Sequence, residues 1–134
     1  MRGTVLLAED DRGLREVLLH VLGEAGYQVV LVDGESDTLG AVRRAHAHCL
    51  LLLSARLPGG ATESILRHLG DGSDPTRCPV VLLSAVPVES RSPNVVGVLR
   101  KPFELTRMLG LVRAFCPSPT LPLPPARDSR PKAA

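Results

Sequence analysis

Between Cys49 and Leu53 the chain runs through five consecutive apolar residues and then stops at Ser54. A run that short cannot span a membrane. With no polar residue alternating along it, it also has no face to offer to water. Its place is a strand covered on both sides, the situation found in a parallel sheet between layers of helices. Further runs of the same kind flank it. Thr4 to Ala8 reads as a buried strand, Tyr27 to Val32 is rich in β-branched residues, Pro79 opens a run ending near Ser84, and Val95 to Leu99 forms another.

Between these runs the period lengthens. Leu14, Val17, Leu18, Val21 and Leu22 fall at helical spacing, with Asp11 placed to cap their helix and Gly26 to end it. Leu39, Val42 and several alanines mark a second helix over Ser36 to about Ala47. A turn at Pro58-Gly59-Gly60 precedes a third from about Thr62 to Leu69, and the polar stretch from Gly70 to Arg77 reads as loop. Leu105, Met108, Leu109 and Val112 share one face of a last helix begun after Pro102. Strands alternating with helices imply parallel crossovers. The fold expected is α/β: a three-layer, doubly wound, five-stranded parallel sheet of order 2-1-3-4-5. Residues 117–134 hold six of the twelve prolines and only Leu121 and Leu123 as large apolar groups. They read as a disordered Pro-rich tail after one domain, 1–116.

Composition narrows the function. A net charge of +2 and no run of basic residues argue against a nucleic-acid surface. One tyrosine, two phenylalanines and no tryptophan leave no stacking platform for bases. Cys49, Cys78 and Cys116 lie far apart without ligand spacing, so reduced thiols in a cytoplasmic protein are expected. The acids Glu9, Asp10 and Asp11 follow the first apolar stretch too closely for a signal peptide. His20, His46, His48 and His68 share no partner in the pattern.

In doubly wound sheets ligands bind beyond the carboxyl ends of the strands. Those ends are Glu9-Asp10-Asp11, Asp33, Ser54, Ser84 and Lys101. Val5 to Asp11 followed by Leu14-Arg15 resembles the opening of bacterial response-regulator receivers. Leu50 to Gly59 resembles the segment around their phospho-acceptor, Val80 to Ala85 their hydroxyl-ending strand, and Leu99 to Phe103 their Lys-Pro-Phe motif. The resemblance covers roughly residues 3–115 and implies a flavodoxin-like receiver fold akin to the chemotaxis regulators. It also implies an Mg²⁺ site at Glu9 and Asp10, with Arg56 where a backbone carbonyl completes it. Ser84 and Lys101 would contact the phosphoryl group, and Asp11 would serve as a helix cap. Hard oxygen ligands suit Mg²⁺, and a phosphoryl group in transfer needs fixed positive charge.

Three departures change the expectation. Ser54 stands at the acceptor position, and a serine hydroxyl is a poor nucleophile without an adjacent base. The segment from Ser84 to Lys101 is short and interrupted by Pro87 and Pro93, so the family's fourth helix should be short or absent. Val98 replaces the family's switch aromatic three residues before the lysine. The reading is a pseudo-receiver in two-component phosphorelay signalling, not an enzyme, that binds a histidine kinase or effector without phosphorylation and holds Mg²⁺ weakly or not at all. One alternative is an active regulator phosphorylated on Ser54 or a neighbouring carboxylate. The other is a flavodoxin-like cofactor binder, although the first β–α turn carries acids where a phosphate loop needs glycines. Arg56 and Lys101 are both candidates to balance the acidic pair.

Overall fold

A computed structural model describes residues 3–45, 49–70, 78–90 and 92–116. Five parallel strands form one sheet of order β2-β1-β3-β4-β5: β1 (Thr4–Ala8), β2 (Gln28–Leu31), β3 (Cys49–Ser54), β4 (Val80–Ser84) and β5 (Val95–Arg100). The helices are α1 (Arg12–Glu24), α2 (Gly34–Ala45), α3 (Ala61–Gly70) and α4 (Leu105–Phe115). The topology is the doubly wound one expected. Among the described residues no helix is long and apolar enough to cross a membrane.

The strand pleat explains the unbroken apolar runs. Leu6, Ala8, Cys49, Leu51, Leu53, Val80 and Leu82 point to one side, where α2 and α3 bring Leu39, Val42, Ile65 and Leu69. Val5, Leu7, Leu50, Leu52, Val81 and Leu83 point to the other, where α1 and α4 bring Leu18, Leu22, Met108 and Val112. Every residue of β3 is buried, as a central strand with two covered faces requires. The helical spacing marked too wide a buried stripe in two places. Val17 is 45% exposed and Leu105 is 37% exposed, because each lies at the margin of its helix's contact with the sheet.

Between β4 and β5 no described residue is helical. The described residues there are irregular, with bends and a turn, and Val88 packs on the α2–α3 side of the core. Pro93 closes against the end of α3. A Cβ on Gly70 would sit 3.3 Å from the proline ring, so the approach suits a residue with no side chain. The expectation of a shortened helix here becomes a connection with none, as the two prolines suggested. His46, His48, residues 71–77 and the tail at 117–134 lie outside the described residues.

Candidate functional site

Strand register gathers the sequence-marked residues at one edge. Ala8 pairs with Leu53, so Glu9 and Ser54 come next on adjacent strands. Ser54 pairs with Leu83, and Ser84 pairs with Arg100, which sets Lys101 one step beyond. Glu9, Ser54, Ser84 and Lys101 therefore lie along the carboxyl edge, at the ends of β1, β3, β4 and β5 in spatial order.

Glu9 is the buried acid. Its side chain has no exposed surface, its Oε2 accepts the Asp11 amide at 2.9 Å, and its Oε1 lies 3.0 Å from Lys101 Nζ. The lysine contact is a charge pair without hydrogen-bond alignment, since Oε1 has no geometrically aligned donor. At that separation attraction between opposite charges is strong at any angle. Two strands separate β1 from β5, so the lysine extends across the ends that carry Ser54 and Ser84.

The other acids divide by role. Asp11 caps α1, its Oδ1 accepting the Leu14 amide at 3.0 Å. Asp10 is exposed and lines a cleft of about 300 Å³ with Glu9, Arg15, Asp33 and Pro58. Among the described residues no three acidic, cysteine or histidine side chains converge on a point that would hold an ion.

Ser54 and Ser84 are both buried, and both are engaged locally. Ser54 Oγ accepts the Arg56 amide at 3.4 Å, and no described carboxylate is hydrogen-bonded to it. Without a base at the hydroxyl, attack on phosphorus has no place to send the proton. Ser84 Oγ donates to the Val86 carbonyl at 2.6 Å and accepts the Val86 amide at 3.2 Å, closing a tight turn. Arg56 itself is exposed and forms no ion pair among the described residues. Of the two cations expected to balance the acids, Lys101 is in place and Arg56 is not. The arginine follows a turn that directs it to solvent.

Sequence reasoning missed Thr62, which it took only as the start of a helix. Thr62 is buried, its Oγ1 donating to the Ser54 carbonyl at 2.7 Å and accepting the Leu57 amide at 2.9 Å. One hydroxyl thus ties the end of β3 to the first turn of α3. The turn is shaped by Gly59 and Gly60, both with φ near 70°. The usable signal was a threonine opening a helix shortly after a strand, where hydroxyls bond free backbone groups. Farther out, Glu35 Oε2 accepts Ser64 Oγ at 2.6 Å and lies 3.3 Å from His68 Nδ1, fastening α2 to α3. His20 is exposed.

No family model matches the chain. Curated relatives do. The response regulator protein FleR of Pseudomonas aeruginosa is 34% identical over 120 residues, covering 84% of this chain and 24% of that protein. The uncharacterized transcriptional regulatory protein YkoG of Bacillus subtilis is 31% identical over 120 residues, again 84% of this chain and 50% of the relative. Among solved structures the response regulator StyR superposes with a TM-score of 0.74 at 29% identity, over 87% of this chain and 60% of that one. This chain is a response-regulator receiver domain. Chemotaxis protein CheY4 of Vibrio cholerae, at 18% identity, adds the fold alone, with a TM-score of 0.72 over 86% of this chain and 99% of that one.

The receiver spans about half the length of YkoG and a quarter of FleR. Within it, Glu9, Ser84 and Lys101 lie at the carboxyl edge of the sheet. Their side chains are committed to one another or to their own turns.

Proposed function

We propose that this receiver is a pseudo-receiver, a phosphorylation-independent interaction module of a two-component pathway. The observation that carries the reading is the pairing of Lys101 with the buried Glu9 beside a neutral Ser54. The charge that would meet a phosphoryl group is already balanced inside the protein. Glu9 gives one oxygen to the lysine and the other to a backbone amide. That leaves Asp10 as the only acid of the pair turned to solvent, and one carboxylate makes a poor Mg²⁺ site. We therefore assign the domain weak Mg²⁺ binding or none, and no enzymatic activity. Its partner is a protein, a histidine kinase or downstream effector, and its place is the cytoplasm.

The competing reading, phosphorylation on Ser54 or a neighbouring carboxylate, gives a different result in one experiment. Intact mass is measured after incubation with acetyl phosphate and Mg²⁺. An unchanged mass is expected, and a stoichiometric phosphate adduct would establish the competing reading instead.

A further inference from the structure

At the opposite end of the sheet from Ser54 and Ser84, Cys49 begins β3 and Cys78 lies two residues before β4. Leu51 pairs with Val80, so two residues earlier Cys49 faces Cys78, and the Leu51 amide on the Pro79 carbonyl at 2.9 Å continues the ladder to that level. Both side chains lie on the α2–α3 face, both are buried, and their sulfurs are 3.3 Å apart.

We propose that Cys49 and Cys78 are a peroxide-oxidisable dithiol, a modification site that clasps the feet of the two strands carrying Ser54 and Ser84. The geometry requires little rearrangement. Neighbouring strands run about 4.8 Å apart, inside the roughly 4.4–6.8 Å between α-carbons that disulfides span. Bringing the sulfurs from 3.3 Å to a bond of about 2.05 Å takes small rotations shared by two side chains.

The reaction balances with hydrogen peroxide as oxidant. One thiol, as thiolate, attacks a peroxide oxygen; the O–O bond breaks, one water leaves after protonation, and a sulfenic acid forms. The second sulfur attacks the first, the S–O bond breaks and a second water departs. Peroxide is reduced by two electrons while two S–H groups become one S–S bond. Cys49 is the first residue of β3 and Cys78 lies just before β4, so local opening at that edge would admit a small oxidant. Bulky disulfide reagents are excluded by the same burial.

Cys116 provides an internal control. It packs on the other face among α1 and α4 residues, with Sγ 3.6 Å from the Thr4 carbonyl. Burial, then the charge of Cys49, pushes its thiol up to about 11, which keeps the reactive thiolate scarce.

The test is peroxide treatment of the full chain, alkylation under denaturing conditions, and tryptic mapping without reductant. Arginines at 56, 67 and 77 separate the two cysteines, so the bond would join peptides 45–56 and 78–91. The expected result is that linked pair, a loss of two hydrogens from the intact mass, reversal by dithiothreitol, and an alkylated Cys116. Cys116→Ser should retain the link, and Cys78→Ser should abolish it. Three alkylatable thiols after treatment, or a bond that includes Cys116, would overturn the proposal.

Discussion

Lys101 and Glu9 form a charge pair at 3.0 Å in which the acid has no exposed surface and the lysine keeps 25% of its own. The two residues belong to opposite halves of the sheet. Their contact therefore brings the two sides of the carboxyl edge together, near the strand ends that carry Ser54 and Ser84. It also gives the buried carboxylate a partner of opposite charge, since an unpaired buried charge costs several kcal/mol.

Removing the lysine should expose that dependence. Lys101→Met strands Glu9 without a cation, at a cost of about 2–3 kcal/mol given the lysine's partial exposure. For a domain of this size the melting midpoint should fall by roughly 8–12 °C. Glu9→Gln added to Lys101→Met should recover part of the loss, because the charge needing a partner is then gone. The parent should melt at the same temperature with and without Mg²⁺ at fixed ionic strength. A site with a dissociation constant of about 1 mM would add about 1.4 kcal/mol at tenfold excess, a shift of roughly 4 °C or more. Lys101→Met should gain such a shift, and Arg56→Ala should not, because Arg56 pairs with no acid among the described residues. A Mg²⁺ response in the parent would sink the internal-cation account.

Ser54→Asp should restore reaction with acetyl phosphate, from no adduct to a measurable one by intact mass. The substitution supplies the carboxylate nucleophile and adds a third acid beside Glu9 and Asp10, which also attracts the metal and loosens Lys101 from Glu9. Ser84 must then leave its bonds to Val86, so the rate should be modest. Adding Ser84→Ala should slow labelling further if the hydroxyl reorients to the phosphoryl group. No adduct on Ser54→Asp at any Mg²⁺ concentration would show that the pocket has drifted beyond its residue types.

The central strands were legible because two-sided burial writes an unbroken apolar run, and nothing distant is needed to read Cys49 to Leu53 correctly. That no described residue between β4 and β5 is helical was legible for a local reason too, since Pro87 and Pro93 interrupt a helix there. What escaped depends on geometry that spacing does not encode. A hydroxyl such as Ser84 is equally suited to a ligand or to its own turn, and only the backbone after β4 decides. Lys101 and Arg56 were equal candidates for the acids until the β3–α3 turn sent the arginine outward. The facing of Cys49 and Cys78 arises from register between strands separated by a whole helix, so neither cysteine alone signals it.

Alkaline pH should weaken the fold through Cys116. Burial raises its thiol from an ordinary value near 9 to about 11. A raised folded-state value means the folded protein holds its proton more tightly, so this stability is complete below pH 9 and is lost as pH climbs towards 11. The loss is about 2–3 kcal/mol at the upper end. Tyr27, raised by burial and then by Cys116, adds a loss of the same sign above pH 10. Urea unfolding at pH 8 and pH 10.5 measures the effect under reducing conditions. Cys116→Ser should be less stable at pH 8 yet decline less between the two; an equal decline would remove Cys116 as the cause.

The last prediction concerns Thr62, whose hydroxyl is bonded to both sides of the turn after Ser54. Thr62→Val keeps the shape and removes the hydroxyl, which leaves the Ser54 carbonyl and the Leu57 amide without their partner. The Ser54 end is fully buried and the Leu57 end only partly, so the two losses together cost about 1–3 kcal/mol. The melting midpoint should fall by roughly 4–12 °C. Thr62→Ser keeps the hydroxyl and should lose only the methyl contact, so its midpoint should stay much closer to the parent's. The placement of Ser54 gives a second measurement that a simple packing defect would not move. In the Ser54→Asp background the labelled residue sits at the strand end that Thr62 holds. Thr62→Val should then reduce the labelling rate while Thr62→Ser preserves it, both measured well below their melting points. If Thr62→Val destabilises the domain but leaves labelling unchanged, the hydroxyl braces the turn without positioning residue 54. If Val and Ser are equally destabilising, the methyl group and not the hydrogen bonds carries the effect.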